Sequence, residues 1–417
     1  SDVYKRQAIN ILEVFTMIRL TLGEKFNVDI VPLFESISDL ENASSIMDKT
    51  YSNKNYLSHL KRRSNVQYIM LGFSDGTKDG GYLTANWSIL KAKEFLTKVS
   101  RKHGIKVVFF DGRGGPPARG GGNTHQFYSS LGEFIESDEI QLTIQGQTIS
   151  SNFGTIISSQ YNMEQLISSG IKNRILSNPE VFNKRNRKTI EKLSSISYKS
   201  YIEFKNNESF IPYLQNMSTI KYYSKTNIGS RPSKRGNKDE EFNFDKLRAI
   251  PFVGSWSQLK QNVPGFYGLG TSINYFYENN KINDVKLLYK EVPFFRALVS
   301  NSMMSLTKSF FELTSYMSKD EEFGNFWKII HDEYELTKKM LLEISDFKEL
   351  MENEPANKLS ITTRENIVMP LITIQQYALQ KVKKIKSGKI EENDKSLFEK
   401  IITRSLYGNI NASRNSA

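Results

Sequence analysis

Apolar positions along the chain follow two different periods. Five short runs of β-branched and aromatic residues, at 28–34, 66–72, 105–110, 140–144 and 247–252, end in glycine or beside a carboxylate. Near-continuous apolar runs of this length read as strands buried on both faces, as in a parallel sheet. Helical patterns lie between them, as at 81–102, and a further helical pattern spans 8–22. This alternation predicts an α/β fold, whose chemistry collects past the C-terminal ends of the strands. From Asp284 onward the spacing is almost wholly helical. Met303, Leu306, Phe310, Leu313 and Met317 fall on one helical face, and 321–346 and 363–384 read the same way. These stripes are read as core packing. The stretch 229–245 is polar and punctuated by Gly and Pro, which predicts a mobile surface loop.

Composition narrows the function classes. The 417 residues are 38% hydrophobic and 12% aromatic, enough for a large core, and carry a net charge of +12. The densest basic stretch, Lys184 to Lys188 with Lys192 a turn later, is too short for a nucleic-acid arm and reads as a solvated helix face. Surplus positive charge without such an arm suits small anionic substrates. The chain contains no cysteine, which excludes disulfides, cysteine nucleophiles and thiolate metal sites and fits a reducing cytoplasm. No apolar run has the length of a membrane span, and no signal peptide is visible. Residues 1–7 lack an initiator Met and read as a non-native leader, with an upstream portion expected before Ala8.

The segment from Phe109 to His125 packs six glycines and two arginines behind an apolar strand. Glycine lets backbone N–H groups converge on an anion, and arginine forks match phosphate oxygens. Arg113, Gly114, Gly115 and Arg119 are therefore candidate phosphate contacts. The loop lacks the Gly-Lys-Ser/Thr ending of a Walker A motif. Glu35 and Asp75 follow the first two strands, where a pair of carboxylates can hold Mg²⁺ or Mn²⁺; taken alone, each is more often a helix cap or turn residue. Lys78, Arg231 and Arg248 are further cations able to reach the same mouth. Of the four histidines only His125 adjoins this site, and no pair has zinc-ligand spacing.

Taken in order, several blocks resemble phosphoenolpyruvate carboxylase. They are Val31-Pro-Leu-Phe-Glu35, Gly72-Phe-Ser-Asp-Gly-Thr-Lys-Asp79, Asp111-Gly-Arg-Gly-Gly115, Arg119-Gly-Gly-Gly-Asn-Thr-His125, Gln145-Gly-Gln147, Gly229-Ser-Arg-Pro-Ser-Lys-Arg235, Leu247-Arg-Ala-Ile-Pro251 and the terminal Arg414-Asn-Ser-Ala417. The resemblance implies a predominantly helical α/β fold, the C-terminal part of a (β/α)₈ TIM-type barrel with many additional helices, usually assembled as a homotetramer. It implies a barrel portion over 8–283 and a helical region with an effector site over 284–417. The implied reaction joins phosphoenolpyruvate and bicarbonate, with Mg²⁺ or Mn²⁺, to give oxaloacetate and phosphate.

By the same resemblance Glu35 and Asp75 are metal ligands. Arg113, Arg231 and Arg248 contact substrate with Gly114 and Gly115, and Lys78, Asp111, Arg113 and Arg119 form the catalytic set. Arg119, Lys308, Arg364 and Asn415 match positions that bind an inhibitory dicarboxylate such as aspartate or malate. Two departures stand out: Asp111 occupies a position usually held by His, and Gln147 one usually held by Glu. The match covers the C-terminal half of a normal family member, so the isolated chain is expected to be inactive or confined to partial reactions. The competing reading is a non-catalytic dicarboxylate-binding remnant. Nucleic-acid binding rests on net charge alone, and no membrane partner is expected.

Overall fold

The computed structural model describes residues 7–144, 147–176, 182–223, 244, 247–386, 388 and 394–413. Residues 1–6, Arg231 with nearly all of the 229–245 loop, the Gln145-Gly146 pair and Asn415 lie outside the described residues, as does the side chain of Gln147.

Four strands, β1 (Leu33–Phe34), β2 (Val66–Gly72), β3 (Lys106–Gly112) and β4 (Ile140–Leu142), form one parallel sheet in the order β1-β2-β3-β4. Phe34 pairs with Leu71, Gly72 with Gly112, and Asp111 with Leu142, so the four C-terminal ends are nearly level. Parallel neighbours need crossovers, and the chain supplies helices Ile37–Tyr51, Lys54–Arg62, Phe73–Gly80 and Tyr82–Lys102 between the first three strands. The molecule is thus a predominantly helical α/β protein with a parallel sheet. β3 is buried from Val107 to Phe109, as its apolar run predicts. In β2 burial alternates, with Gln67, Ile69 and Leu71 inside and Tyr68 and Met70 half-buried. The interior Gln67 is bonded to Tyr56 Oη (2.8 Å) and to the carbonyl of Ile30 (2.8 Å), which keeps its amide satisfied.

The helices at 8–22 and 82–102 form where the spacing places them. Three expectations are corrected. The run at 247–252 is not a strand: it opens helix Ala249–Gln258. Pro251 lies in the first turn, where a missing N–H costs nothing, and Phe252, Val253 and Trp256 are buried. Short apolar runs fit a buried helix as well as a strand. The run at 28–34 pairs only through Leu33–Phe34, with the carbonyl of Pro32 accepting Met70 N at 2.8 Å. The stripe from Met303 to Met317 is not one face. Helix Pro293–Thr307 ends, and a 3₁₀ segment, Phe311–Lys319, resumes with a three-residue period. That period buries Phe311, Thr314 and Met317 and leaves Phe310 exposed. The basic stretch lies on helix Lys184–Lys205, where Arg187 pairs with Glu94 (2.6 Å) and Arg185 with Glu291 (2.5 Å).

One buried carboxylate ties the C-terminal helices together. Glu333, on helix Gly324–Ser345, accepts the backbone N–H groups of Gly268 (2.9 Å) and Thr271 (3.2 Å) and the Thr271 hydroxyl (2.5 Å). It thereby caps helix Leu269–Glu278 from outside its own sequence. Burial raises its carboxyl above the usual range, against the pull of those donors. Glu333→Ala strands the donors and opens a void, so urea unfolding should show a loss of about 2–4 kcal/mol. A loss under about 0.5 kcal/mol would sink this account of the cap.

Candidate active site

Glu35 is the first residue past β1, and Asp75 sits in the first turn of helix Phe73–Gly80, whose N-cap is Gly72 at the end of β2. A Cβ on Gly72 would fall 2.5 Å from Glu35 Cβ and 3.2 Å from Glu35 Oε2, so the glutamate lies directly over the end of β2. Both carboxylates are half-buried. Among the described residues no cluster of three or more His, Cys, Asp or Glu could hold a metal. A pair of carboxylates at neighbouring strand ends is a donor set that suits a hard divalent cation, which keeps most of its octahedron for water and substrate oxygens. Lys78, on the same helix as Asp75, is buried with its ammonium 4.6 Å from the Phe244 ring centre.

The Gly-rich loop follows β3 and folds against itself. Gly114 N–H donates to Arg119 O (2.7 Å), Gly121 N–H to Pro116 O (3.0 Å), and Gly120 N–H to Pro117 O (2.9 Å). These three amides close the loop instead of converging on a ligand. Arg113 is buried, its guanidinium carbon 4.4 Å from the Phe127 ring centre and 5.2 Å from that of Tyr128. Its Nε donates to the carbonyl of Gly120, and its Nη2 is buried without a hydrogen-bond partner. Arg113, Gly114, Gly115, Gly122 and His125 line one wall of a cavity whose other wall includes Asn162.

Arg119 turns the other way. Its Nε donates to Ser74 Oγ (3.3 Å), its side chain crosses Gly114, and Asp75 is its main opposing charge. Burial brings its guanidinium down to about 10, with Asp75 acting against that fall. Arg248 caps helix Ala249–Gln258 in extended backbone and is half-buried.

Asp111 does not line this cavity. It is fully buried, and its Oδ2 receives Lys93 Nζ and Tyr128 Oη, each at 2.7 Å. Sequence reasoning passed over Lys93, although its position was legible: it falls among Ile89, Ala92 and Leu96 on the buried face of helix Tyr82–Lys102. A lysine in such a stripe requires an acid partner.

A second cavity lies behind the loop. Pro116, Pro117 and Ala118 form one side, and Lys260, Lys308, Arg364 and Glu365 the other. Lys308 also lines the first cavity. Lys260 and Glu365, both unforeseen, pair at 2.5 Å. Burial pushes the Lys308 ammonium down to about 8, with the neighbouring Lys260 adding to the fall and Glu365 opposing it. Of the proposed effector residues, Lys308 and Arg364 therefore share a cavity, while Arg119 stands beside Asp75. Among the described residues no helix is long and apolar enough to cross a membrane.

The loop's closure sets a steric test. A Cβ on Gly121 would sit 1.7 Å from Gly115 O, a distance no relaxation of a side chain can relieve. Gly121→Ala should weaken inorganic phosphate binding by about tenfold or more in calorimetry, with the far-ultraviolet dichroism retained. Unchanged affinity would dissociate the loop from the anion site.

The sequence model of the phosphoenolpyruvate carboxylase family matches residues 4–412, nearly the whole chain, and the protein belongs to that family.

Proposed function

We propose that this chain carries the phosphoenolpyruvate site of a carboxylase that joins phosphoenolpyruvate and bicarbonate to give oxaloacetate and phosphate. Family membership supports carboxy-lyase chemistry in general. The observation that carries the finer reading is Arg113: a buried guanidinium on an aromatic platform, with one nitrogen unbonded, in the wall of a cavity at the C-terminal edge of the sheet. We read that sheet as part of the family's (β/α)₈ barrel, and the family's homotetramer as its assembly.

In this reading bicarbonate attacks the phosphoryl group, giving carboxyphosphate and the enolate of pyruvate. Carboxyphosphate releases CO₂, and the enolate carbon attacks it. Arg113 neutralises the transferring phosphoryl, and Arg231 and Arg248 contribute further charge from the segment that follows. Gly114 and Gly115 allow the loop to approach the substrate closely. Lys78, its ammonium over the Phe244 ring, is a further cation of the catalytic set in this reading. A divalent cation held by Glu35 and Asp75, Mg²⁺ or Mn²⁺, would supply charge stabilisation to the enolate oxygen. The loop must exclude water, since protonation of the enolate yields pyruvate. Calorimetry should show phosphoenolpyruvate binding that strengthens at least about tenfold with Mg²⁺, a gain lost in Glu35→Gln/Asp75→Asn. Metal-independent binding unaffected by that variant would defeat the assignment, and oxaloacetate formation tests the full reaction.

The second cavity supports a dicarboxylate site built from Lys308 and Arg364, to which the family resemblance adds Arg119 and Asn415, the latter outside the described residues. Drawing Arg119 there would take it from Ser74 and Asp75 and disturb the catalytic face. Dicarboxylate binding without any phosphoenolpyruvate binding would favour the non-catalytic reading. Lys308 is charged below about 8 and loses its proton above it. Malate affinity should therefore be full near pH 6.5 and fall several-fold by pH 9. In Lys308→Gln the fall should vanish, and a wild-type affinity that stays flat across that range would remove Lys308 from the site.

A further inference from the structure

Asp111 presents an electrostatic problem: an acid two residues from the arginine proposed to receive phosphate. Its neighbours answer it through Oδ2, while Oδ1 is buried without a hydrogen-bond partner. The carboxylate is fully buried and takes two donors on Oδ2, Lys93 Nζ and Tyr128 Oη, each at 2.7 Å. Its own carbonyl receives Arg113 N–H at 2.9 Å and Thr143 N–H at 3.1 Å. Lys93 is as buried as its partner, its ammonium 5.2 Å from the Phe109 ring centre and 5.7 Å from that of Tyr128. The Tyr128 ring meets Phe127 edge to face, with centres 5.2 Å apart, and both rings lie beneath the Arg113 guanidinium. Without Lys93, the most favourable partner for a buried Asp111 carboxylate is the Arg113 guanidinium itself, which would then be turned from an incoming anion.

We propose that Lys93, Asp111 and Tyr128 are positioning residues, a buried charge-neutral unit that keeps the Asp111 carboxylate off Arg113 and fixes the aromatic platform from which Arg113 meets a phosphate. The unit acts through Arg113 and touches no substrate. The consequence for the anion rests on reading Arg113 as a phosphate contact; the arrangement of the unit does not.

The test combines two readouts on the full chain: inorganic phosphate affinity by calorimetry, and hydrogen exchange of the Arg113 Nε–H by nuclear magnetic resonance with [¹⁵N]arginine. Arg113→Gln should lose phosphate affinity by about tenfold or more. Lys93→Met should weaken phosphate by about tenfold and speed Nε–H exchange, as the guanidinium leaves the Gly120 carbonyl for Asp111. Adding Asp111→Asn to Lys93→Met removes the competing charge and keeps an acceptor for Tyr128, so affinity should return to within about threefold of wild type. Tyr128→Phe, which keeps the ion pair, should weaken phosphate several-fold. A merely structural pair would lower the melting temperature of Lys93→Met and leave both readouts of the folded protein at wild-type values, and that result overturns the proposal. If Lys93→Met does not fold, Tyr128→Phe decides: wild-type affinity and exchange overturn the proposal. If wild type and Arg113→Gln bind phosphate alike, the phosphate reading of Arg113 falls, and Nε–H exchange alone decides the unit. Faster exchange in Lys93→Met, reversed in the double variant, supports it, and unchanged exchange refutes it.

Discussion

Positive charge held in low dielectric at the C-terminal edge of the sheet is the constraint on which the rest of the site depends. An unpaired buried ion costs several kcal/mol even after relaxation, so each such group must find a counter-charge, a dipole or a ligand. Lys93 finds Asp111, Lys260 finds Glu365, and Arg119 lies beside Ser74 and Asp75. Arg113 is supported by aromatic faces and one carbonyl, with Nη2 unbonded. Lys308 sits among Lys260, Arg364 and Glu365, a group with more positive than negative charge. The surplus borders two cavities, Arg113 on one, Arg364 on the other and Lys308 on both.

The Gly-rich loop is the partition between them. Gly114, Gly115 and Gly122 line one cavity, Pro116, Pro117 and Ala118 the other, and Lys308 reaches both. Internal bonds from Gly114 to Arg119 and from Gly121 to Pro116 brace the segment. A brace of this kind is a physical route for coupling: a ligand that favours one placement of the loop in either cavity changes the energy of the other. Glycine makes the brace feasible, since the approach of Gly121 to Gly115 leaves no space for a Cβ.

Much of this was legible in the sequence. The strands β2 and β3, the helix after β2 and the glycine loop all follow from apolar spacing and punctuation, because burial and turn geometry act locally. The positions of Glu35 and Asp75 just past β1 and β2 were legible for the same reason, because a strand end is a local signal. The failures share a cause as well. The run at 247–252 is short and apolar, and only its tertiary surroundings choose helix. The 303–317 stripe broke because a 3₁₀ segment changed its period, which no spacing within the helix announces. The expected nest is smaller than the glycine count suggests, because the loop's own carbonyls accept the amides of Gly114, Gly120 and Gly121.

Asp111 shows the deeper limit. In the sequence it stands among glycines and arginines, as a departure from the family's usual His. In the fold its partners are a lysine on the helix before its strand and a tyrosine on the helix after it. The two donors converge on one carboxylate oxygen at 2.7 Å, while the arginine two residues away bonds elsewhere. The parallel crossover makes this convergence available: it returns helix Tyr82–Lys102 across the sheet beside β3, so that a residue eighteen positions earlier meets the strand's last acid. An acid in a basic loop is therefore compatible with anion binding when the helix packed on its strand supplies the cation. The charge of a motif is consequently a property of the packed layers around it, and the motif's own letters report only part of that charge.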